Sequence, residues 1–197
     1  MRGAQALHVA GIGLLDKLHG APLARLFAKA RQMGLRTSLD LVDPGPLQPA
    51  EAWPYIKEAL DGKLVDLLSI SMAEAIDFVG LDGPRAVACQ LAPLVRVAVF
   101  VKMDKEGMLV LAHGASEPTH IPIFPVTAKN GTGSGDGAAA AALLLWLSMN
   151  CPGEMTCLEL IALFASAVGA LIVRQGIGTK GIGSPEDLLA FIGDYDK

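Results

Sequence analysis

Charge is what this chain has least of. Only 18% of its 197 residues are Asp, Glu, Lys or Arg, against 52% hydrophobic ones. A chain so composed can bury a sizeable core, which excludes an intrinsically disordered protein. Basic clusters are missing too. The net charge is −4, aromatic residues make up 5%, and no Lys/Arg-rich run or interleaved basic and aromatic pattern occurs. Nucleic acid and anionic lipid are therefore not expected as partners. Cysteine is scarce, with only Cys89, Cys151 and Cys157. Their odd number, and the scatter of His8, His19, His113 and His120, give no zinc-like spacing and predict reduced, buried thiols in a cytoplasmic protein.

Long apolar runs are also lacking. The stretch Met1–His8 has no apolar core of the kind a signal peptide needs. The two longest runs, Ala138–Met149 and Leu160–Val173, fall short of the roughly 18 to 20 residues of a membrane span. Mean hydropathy is nonetheless high, at +0.44. Separated by Asn150–Glu154, the two runs read either as a membrane hairpin or as paired core helices. The rest of the chain reads as soluble α/β, which favours core helices and no membrane partner.

What is present is a regular alternation of short apolar segments with longer amphipathic ones. Strands are expected at Ala6–Ala10, Thr37–Val42, Val65–Ile70, Arg96–Met103, Gly107–Ala112 and Thr119–Pro125. Helices are expected at Pro22–Met33, Pro54–Leu60, Met72–Val79, Pro84–Leu94, over the two apolar runs, and from Ser184. Ser184 with Asp187 three residues on forms a capping-box variant. No linker or repeat divides the chain, so residues 1–197 read as a single α/β domain with a largely parallel sheet covered on both faces. Sites in such sheets lie beyond the carboxyl ends of the strands, where Asp40, Ser71, Lys102 and a glycine loop fall.

That loop, Asn130-Gly131-Thr132-Gly133-Ser134-Gly135-Asp136-Gly137, places four glycines directly before a run of strong helix formers. Helix first-turn amides lack internal partners and carry the positive end of the dipole, so close backbone approach there suits a phosphate. An acid in the same turn repels such an anion unless it takes a proton from the attacking group. The loop alone leaves two roles open for Asp136: general base for phosphoryl transfer, or an acid complementing the dipole. The Gly-Lys-Ser/Thr ending of a P-loop is absent. Gly176–Gly181 formally matches GxGxxG, but it follows a helix and does not close a βαβ turn.

The Gly133–Asp136 loop resembles the C-terminal signature of the ribokinase-like PfkB carbohydrate kinases. Other segments resemble that family in the same order: Leu7–Gly11, Thr37–Asp40, Asp66–Ala75 over its magnesium motif, and Val101–Gly107 on its nucleotide side. The resemblance implies a ribokinase-like three-layer α/β/α sandwich that uses ATP and Mg²⁺ to phosphorylate a sugar or nucleoside hydroxyl. It implies Asp136 as catalytic base, with Gly133, Ser134 and Gly135 as the anion hole. Lys102, Gly107 and Thr132 are implied at the nucleotide and Glu74 at the metal through water. Ser71, Gly131 and Asp104 depart from the family pattern. A segment holding the lid sheet and the sugar-gripping loops has no counterpart in this chain. An exposed sheet edge is expected in its place, where a partner chain or a second copy can associate. A catalytically incomplete remnant, serving as a nucleotide-binding or interaction module, is the alternative reading.

Overall fold

The computed structural model describes residues 3–41, 49–176, 178 and 182–195. The expected end of the second strand at Val42, and Ile177 and 179–181 of the second glycine pattern, lie outside the described residues. Strands β1 (Ala6–Ala10), β2 (Arg36–Asp40), β3 (Leu67–Ser71) and β4 (Ala98–Lys102) are parallel neighbours in chain order. From β4 the chain turns back through β5 (Met108–Ala112) and β6 (Thr119–Ile121), both antiparallel. The result is a six-stranded sheet whose order follows the sequence.

Strand alternation sorts the side chains onto two faces. One face, with Val9, Leu39, Leu68, Ile70, Val99 and Val101, packs against the helices of the parallel crossovers. These are α1 (Ala21–Gln32), α2 (Pro49–Ala52), α3 (Pro54–Asp61), α4 (Met72–Val79) and α5 (Pro84–Leu91). The opposite face, with Leu67, Ala98, Phe100 and Val110, lies under α6 (Ser134–Met149) and α7 (Met155–Gln175). Helix α8 (Pro185–Tyr195) packs on α7, and Ser184 and Asp187 exchange reciprocal capping bonds at its start. These are the three α/β/α layers the resemblance implies. No second, smaller sheet occurs among the described residues.

Three expectations need correction. Helix α7 runs for 21 residues and is long and apolar enough to cross a membrane, where the sequence suggests a shorter run. It packs against α6, β5, β6 and α8, with Leu158, Ile161, Ala162, Ala165 and Ile172 buried, as a core helix does. Cys151 and Cys157 are joined as a disulfide, with Cα atoms 6.2 Å apart, rather than left as separate thiols. Cys89 is free but exposed, not buried.

The sheet is pinned at the amino end of β3 by buried Asp66. Its carboxylate accepts from the Thr37 N–H at 2.8 Å and the Thr37 hydroxyl at 3.1 Å. Arg31 of α1 and Arg96 before β4 close on its other oxygen at 2.8 and 3.2 Å. A buried carboxylate this well partnered fixes the register of β2 against β3. At the other side of the molecule β1 pairs with β2 alone among the described residues, leaving it an edge strand.

Candidate active site at the carboxyl ends of the strands

Under α6 the sheet face changes character along the strands. It is apolar at Leu67 and Ala98 in the amino half of β3 and β4, while His8 and Ser38 beside them on β1 and β2, and Asp40, Ser69, Ser71 and Lys102 further along, are polar. Period-2 alternation brings these residues to one face, because each lies an even number of positions from an inward neighbour on its strand or in register with one. Asp40 is 1% exposed, and a buried carboxylate is costly without a partner. The Lys102 ammonium supplies one, donating to Asp40 Oδ1 at 2.7 Å. His8 Nδ1 lies 3.2 Å from the hydroxyl of Ser38, its register partner on β2. Burial holds the His8 ring below its ordinary basicity of 6.5; Asp40 and Asp136 pull it back up and Lys102 pushes it further down.

The glycine loop meets this polar patch. Gly133 is the N-cap of α6 with φ of 83°, a left-handed conformation that favours glycine. The Thr132 N–H donates to Asn130 Oδ1 at 2.9 Å, and the Ser134 N–H to the Gly131 carbonyl at 3.0 Å. The Lys129 N–H reaches the Val173 carbonyl at 3.0 Å and ties the loop to the end of α7. With the Ser134 amide engaged, Gly135 and Asp136 supply the first-turn amides that have no acceptor within the helix. A Cβ on Gly135 would lie 3.4 Å from Lys102 Nζ, so the ammonium rests directly against this turn. Asp136 stands exposed in the same turn. Behind it Gly137 faces the Ile172 side chain so closely that a Cβ would collide with it.

From this turn a cleft of about 110 Å³ opens between the β5–β6 side of the sheet and α7. Lys102, Asp104, Gly107, Ser134 and Gly135 line its polar end, and Ile123, Val126, Ala165, Gly169 and Ala170 its apolar end. Small residues on α7 keep the walls apart. Gly107 has φ of 89°, and any Cβ there would strike the Ile121 carbonyl. Asp104 adopts φ of 52°, which explains why glycine suits this position, and it sets a carboxylate at the cleft rim. An apolar slot ending in a lysine and helix-start amides suits a flat heterocycle carrying phosphates.

Glu74 is engaged locally. The Ser71 N–H donates to Glu74 Oε2 at 2.7 Å, and the Glu74 N–H to Ser71 Oγ at 3.2 Å, a complete capping box for α4. Burial raises the Glu74 carboxyl above its ordinary 4.5; Lys102 and the Ser71 bonds lower it, and Asp40 adds to the rise. Among the described residues no cluster of three or more His, Cys, Asp or Glu side chains forms a metal cage. The donor set fits only an ion carried by substrate phosphates, which needs few protein carboxylates and keeps several waters.

The structure thus brings Ser134, Gly135, Lys102 and Gly107 to one cleft and places Glu74 within electrostatic reach of Lys102. Gly133 caps the turn that ends the cleft, and Asp136 stands exposed on that turn, outside the cleft lining. Thr132 is exposed on the loop, outside the cleft lining. His8 and Ser38 were missed by sequence reasoning. The signal for His8 was there, a lone polar residue in the apolar strand Ala6–Ala10, whereas Ser38 sits in the largely polar Arg36–Asp40 and needs the register with His8 to be seen.

Comparison with known proteins bears directly on this arrangement. The pfkB family carbohydrate kinase profile matches residues 2–182. Comparison with curated protein sequences returns no match. Among solved structures, aminoimidazole riboside kinase from Salmonella enterica, complexed with aminoimidazole riboside and an ATP analogue, superposes with a TM-score of 0.78 at 20% identity. That match covers 96% of this chain and 63% of the kinase. A fructokinase double mutant from Vibrio cholerae O395, with fructose, ADP and potassium ion bound, gives 0.76 at 19% identity, over 98% and 61% of the two chains. Ribokinase from Thermotoga maritima gives 0.64 at 22%, over 85% and 52%. The chain therefore spans less than two thirds of the length of these relatives. With a family profile over most of its residues and a ribokinase-like fold, the chain belongs to the pfkB family of carbohydrate kinases.

Proposed function

We propose that this chain carries the nucleotide-holding and phosphoryl-transferring part of an ATP-dependent carbohydrate kinase. The observation that carries the reading is the meeting of three features at the first turn of α6: its unpaired amides, the Lys102 ammonium resting against Gly135 at the end of the cleft, and the exposed Asp136 carboxylate one residue on. Asp136 takes the proton of a sugar or nucleoside hydroxyl as that oxygen attacks the γ-phosphorus of ATP. The bond from the γ-phosphorus to the bridging oxygen breaks and ADP leaves. The Gly135 and Asp136 amides face the charge that gathers on the moving phosphoryl group, with Gly133 and Ser134 shaping the turn. The adenine lies along Ala165, Gly169 and Ala170, with Gly107 keeping the wall open and Thr132 at the outer rim of the phosphates. Glu74 would hold water around a Mg²⁺ brought by the nucleotide, and that ion would supply charge neutralisation.

The test uses the full chain. ATP with Mg²⁺ raises the melting temperature of wild type. In a panel of sugars and nucleosides, Asp136→Asn loses transfer by about 10²-fold or more while keeping that thermal response. A folded sample indifferent to ATP contradicts the reading.

A second reading is favoured by the edge position of β1 and by the length covered in the relatives. There the chain is a catalytically incomplete, cytoplasmic module that binds nucleotide or associates through β1. Oligomers in solution without turnover of any acceptor support it.

A further inference from the structure

The ion pair between Lys102 and Asp40 has a geometry that a merely structural pair does not need. Asp40 is in register with Ser69 on β3, and Ser71, two residues further along, is in register with Lys102 on β4. The two partners thus sit two strands and two residues apart, roughly 12 Å between Cα atoms. The lysine stem must reach across β3, whose residues on this face at that level are the small Ser69 and Ser71. Its ammonium arrives 2.7 Å from Asp40 Oδ1 and, at the same time, against Gly135 of the α6 turn. Lys102 is 14% exposed at its side chain and lines the cleft, whereas Asp40 is sealed from solvent. One end of the pair faces the ligand space and the other does not.

We infer that Lys102 is an exchangeable phosphate ligand, held by Asp40 while the cleft is empty and shared with a phosphate oxygen when the Gly133–Asp136 turn is occupied. The inference rests on the reading that nucleotide phosphates enter this turn. Asp40 keeps the ammonium in place without filling the anion site itself, since it is buried and does not line the cleft. An anion at the turn meets a fixed positive charge at hydrogen-bond range, so part of the phosphate affinity needs no divalent metal. Asp40 also sets how strongly that charge is felt: the tighter it holds Lys102, the less of the charge reaches the ligand.

The experiment is calorimetric titration of the full chain with ADP and with pyrophosphate, each in Mg²⁺ and in EDTA. Because Lys102→Met alone leaves Asp40 buried without a partner, the decisive comparison is Asp40→Asn against the double variant Asp40→Asn/Lys102→Met. Both keep Asp40 neutral, and they differ only at the lysine. Wild type is expected to bind both probes in EDTA, and the double variant to bind them about tenfold or more weakly than Asp40→Asn. Asp40→Asn is expected to bind at least about threefold more tightly than wild type. Lys102→Arg is expected to retain most of the affinity. Equal affinities for Asp40→Asn and the double variant overturn the inference, as does complete loss of wild-type binding in EDTA. A wild type that binds neither probe even with Mg²⁺ overturns the nucleotide reading as well.

Discussion

Asp104 is a single side chain working against its surroundings. Its positive φ is one glycine adopts without strain, and its carboxylate stands at the rim where nucleotide phosphates are proposed to lie. Repulsion at that range is on the order of 1 kcal/mol. Asp104→Asn, which tolerates the same backbone, is therefore expected to bind ATP about fivefold more tightly with an unchanged melting temperature. Calorimetric titration of the two proteins checks it.

His8 and Glu74 carry opposite pH signatures. The His8 ring is less basic in the folded protein than its ordinary 6.5, so its neutral form is favoured there. Its contribution to stability is present above 6.5 and is lost as pH falls through the lower folded value. The Glu74 carboxyl is raised above 4.5, so its contribution is present below 4.5 and is lost as pH rises through the raised value. His8→Gln is expected to lose less stability than wild type on acidification from about pH 7 to about pH 5.5, as followed by thermal melts in matched buffers. Parallel curves for the two proteins refute this.

At the scale of elements, Asp66 is the anchor and the strand ends are the machinery. Removing one partner from a buried, multiply bonded carboxylate typically costs about 3 kcal/mol. Asp66→Asn is expected to lower the melting temperature by roughly 6 to 12 °C while leaving nucleotide affinity unchanged, because Asp66 lies at the amino ends of the strands. A small thermal effect with a large affinity effect contradicts that assignment.

These elements also show what the sequence made legible. Strand β1 and helix α4 were readable to the residue, because Gly11 closes the one and the acid Glu74 opens the other. Helix α8 was legible from Ser184 and Asp187 for the same local reason. The reach of α7 was not, since Thr156 and Glu159 interrupt an apolar run without interrupting a helix whose other face is buried. The cleft was half legible. Glycines and an acid before a helix are visible in one stretch, whereas the Asp40–Lys102 pair joins positions 62 residues apart and needs the strand register to be seen. The disulfide between Cys151 and Cys157 depends likewise on how the α6–α7 turn closes.

At the scale of the whole molecule, two ends of one sheet have different fates. The β5–β6 side is covered by α7 and forms the cleft, while β1 is an edge strand with His8 on it. The relatives are longer than this chain, which covers between 52% and 63% of each. A strand with one open side is the natural place for further polypeptide to pair. An equilibrium mass above that of the monomer, reduced by an edge substitution such as Ala6→Pro, whose N–H points away from β2, that leaves the monomer folded, supports association through β1.

The central claim is that the α6 turn and its cleft hold the phosphates of a nucleotide and that Asp136 acts on the acceptor instead of on that nucleotide. Titrating ATP with Mg²⁺ into folded wild type and Asp136→Asn, with heat as the readout, tests it most directly. The account predicts one nucleotide bound per chain in both proteins, with affinities within about threefold of each other. Absence of binding in folded wild type, or its loss in Asp136→Asn alone, contradicts it.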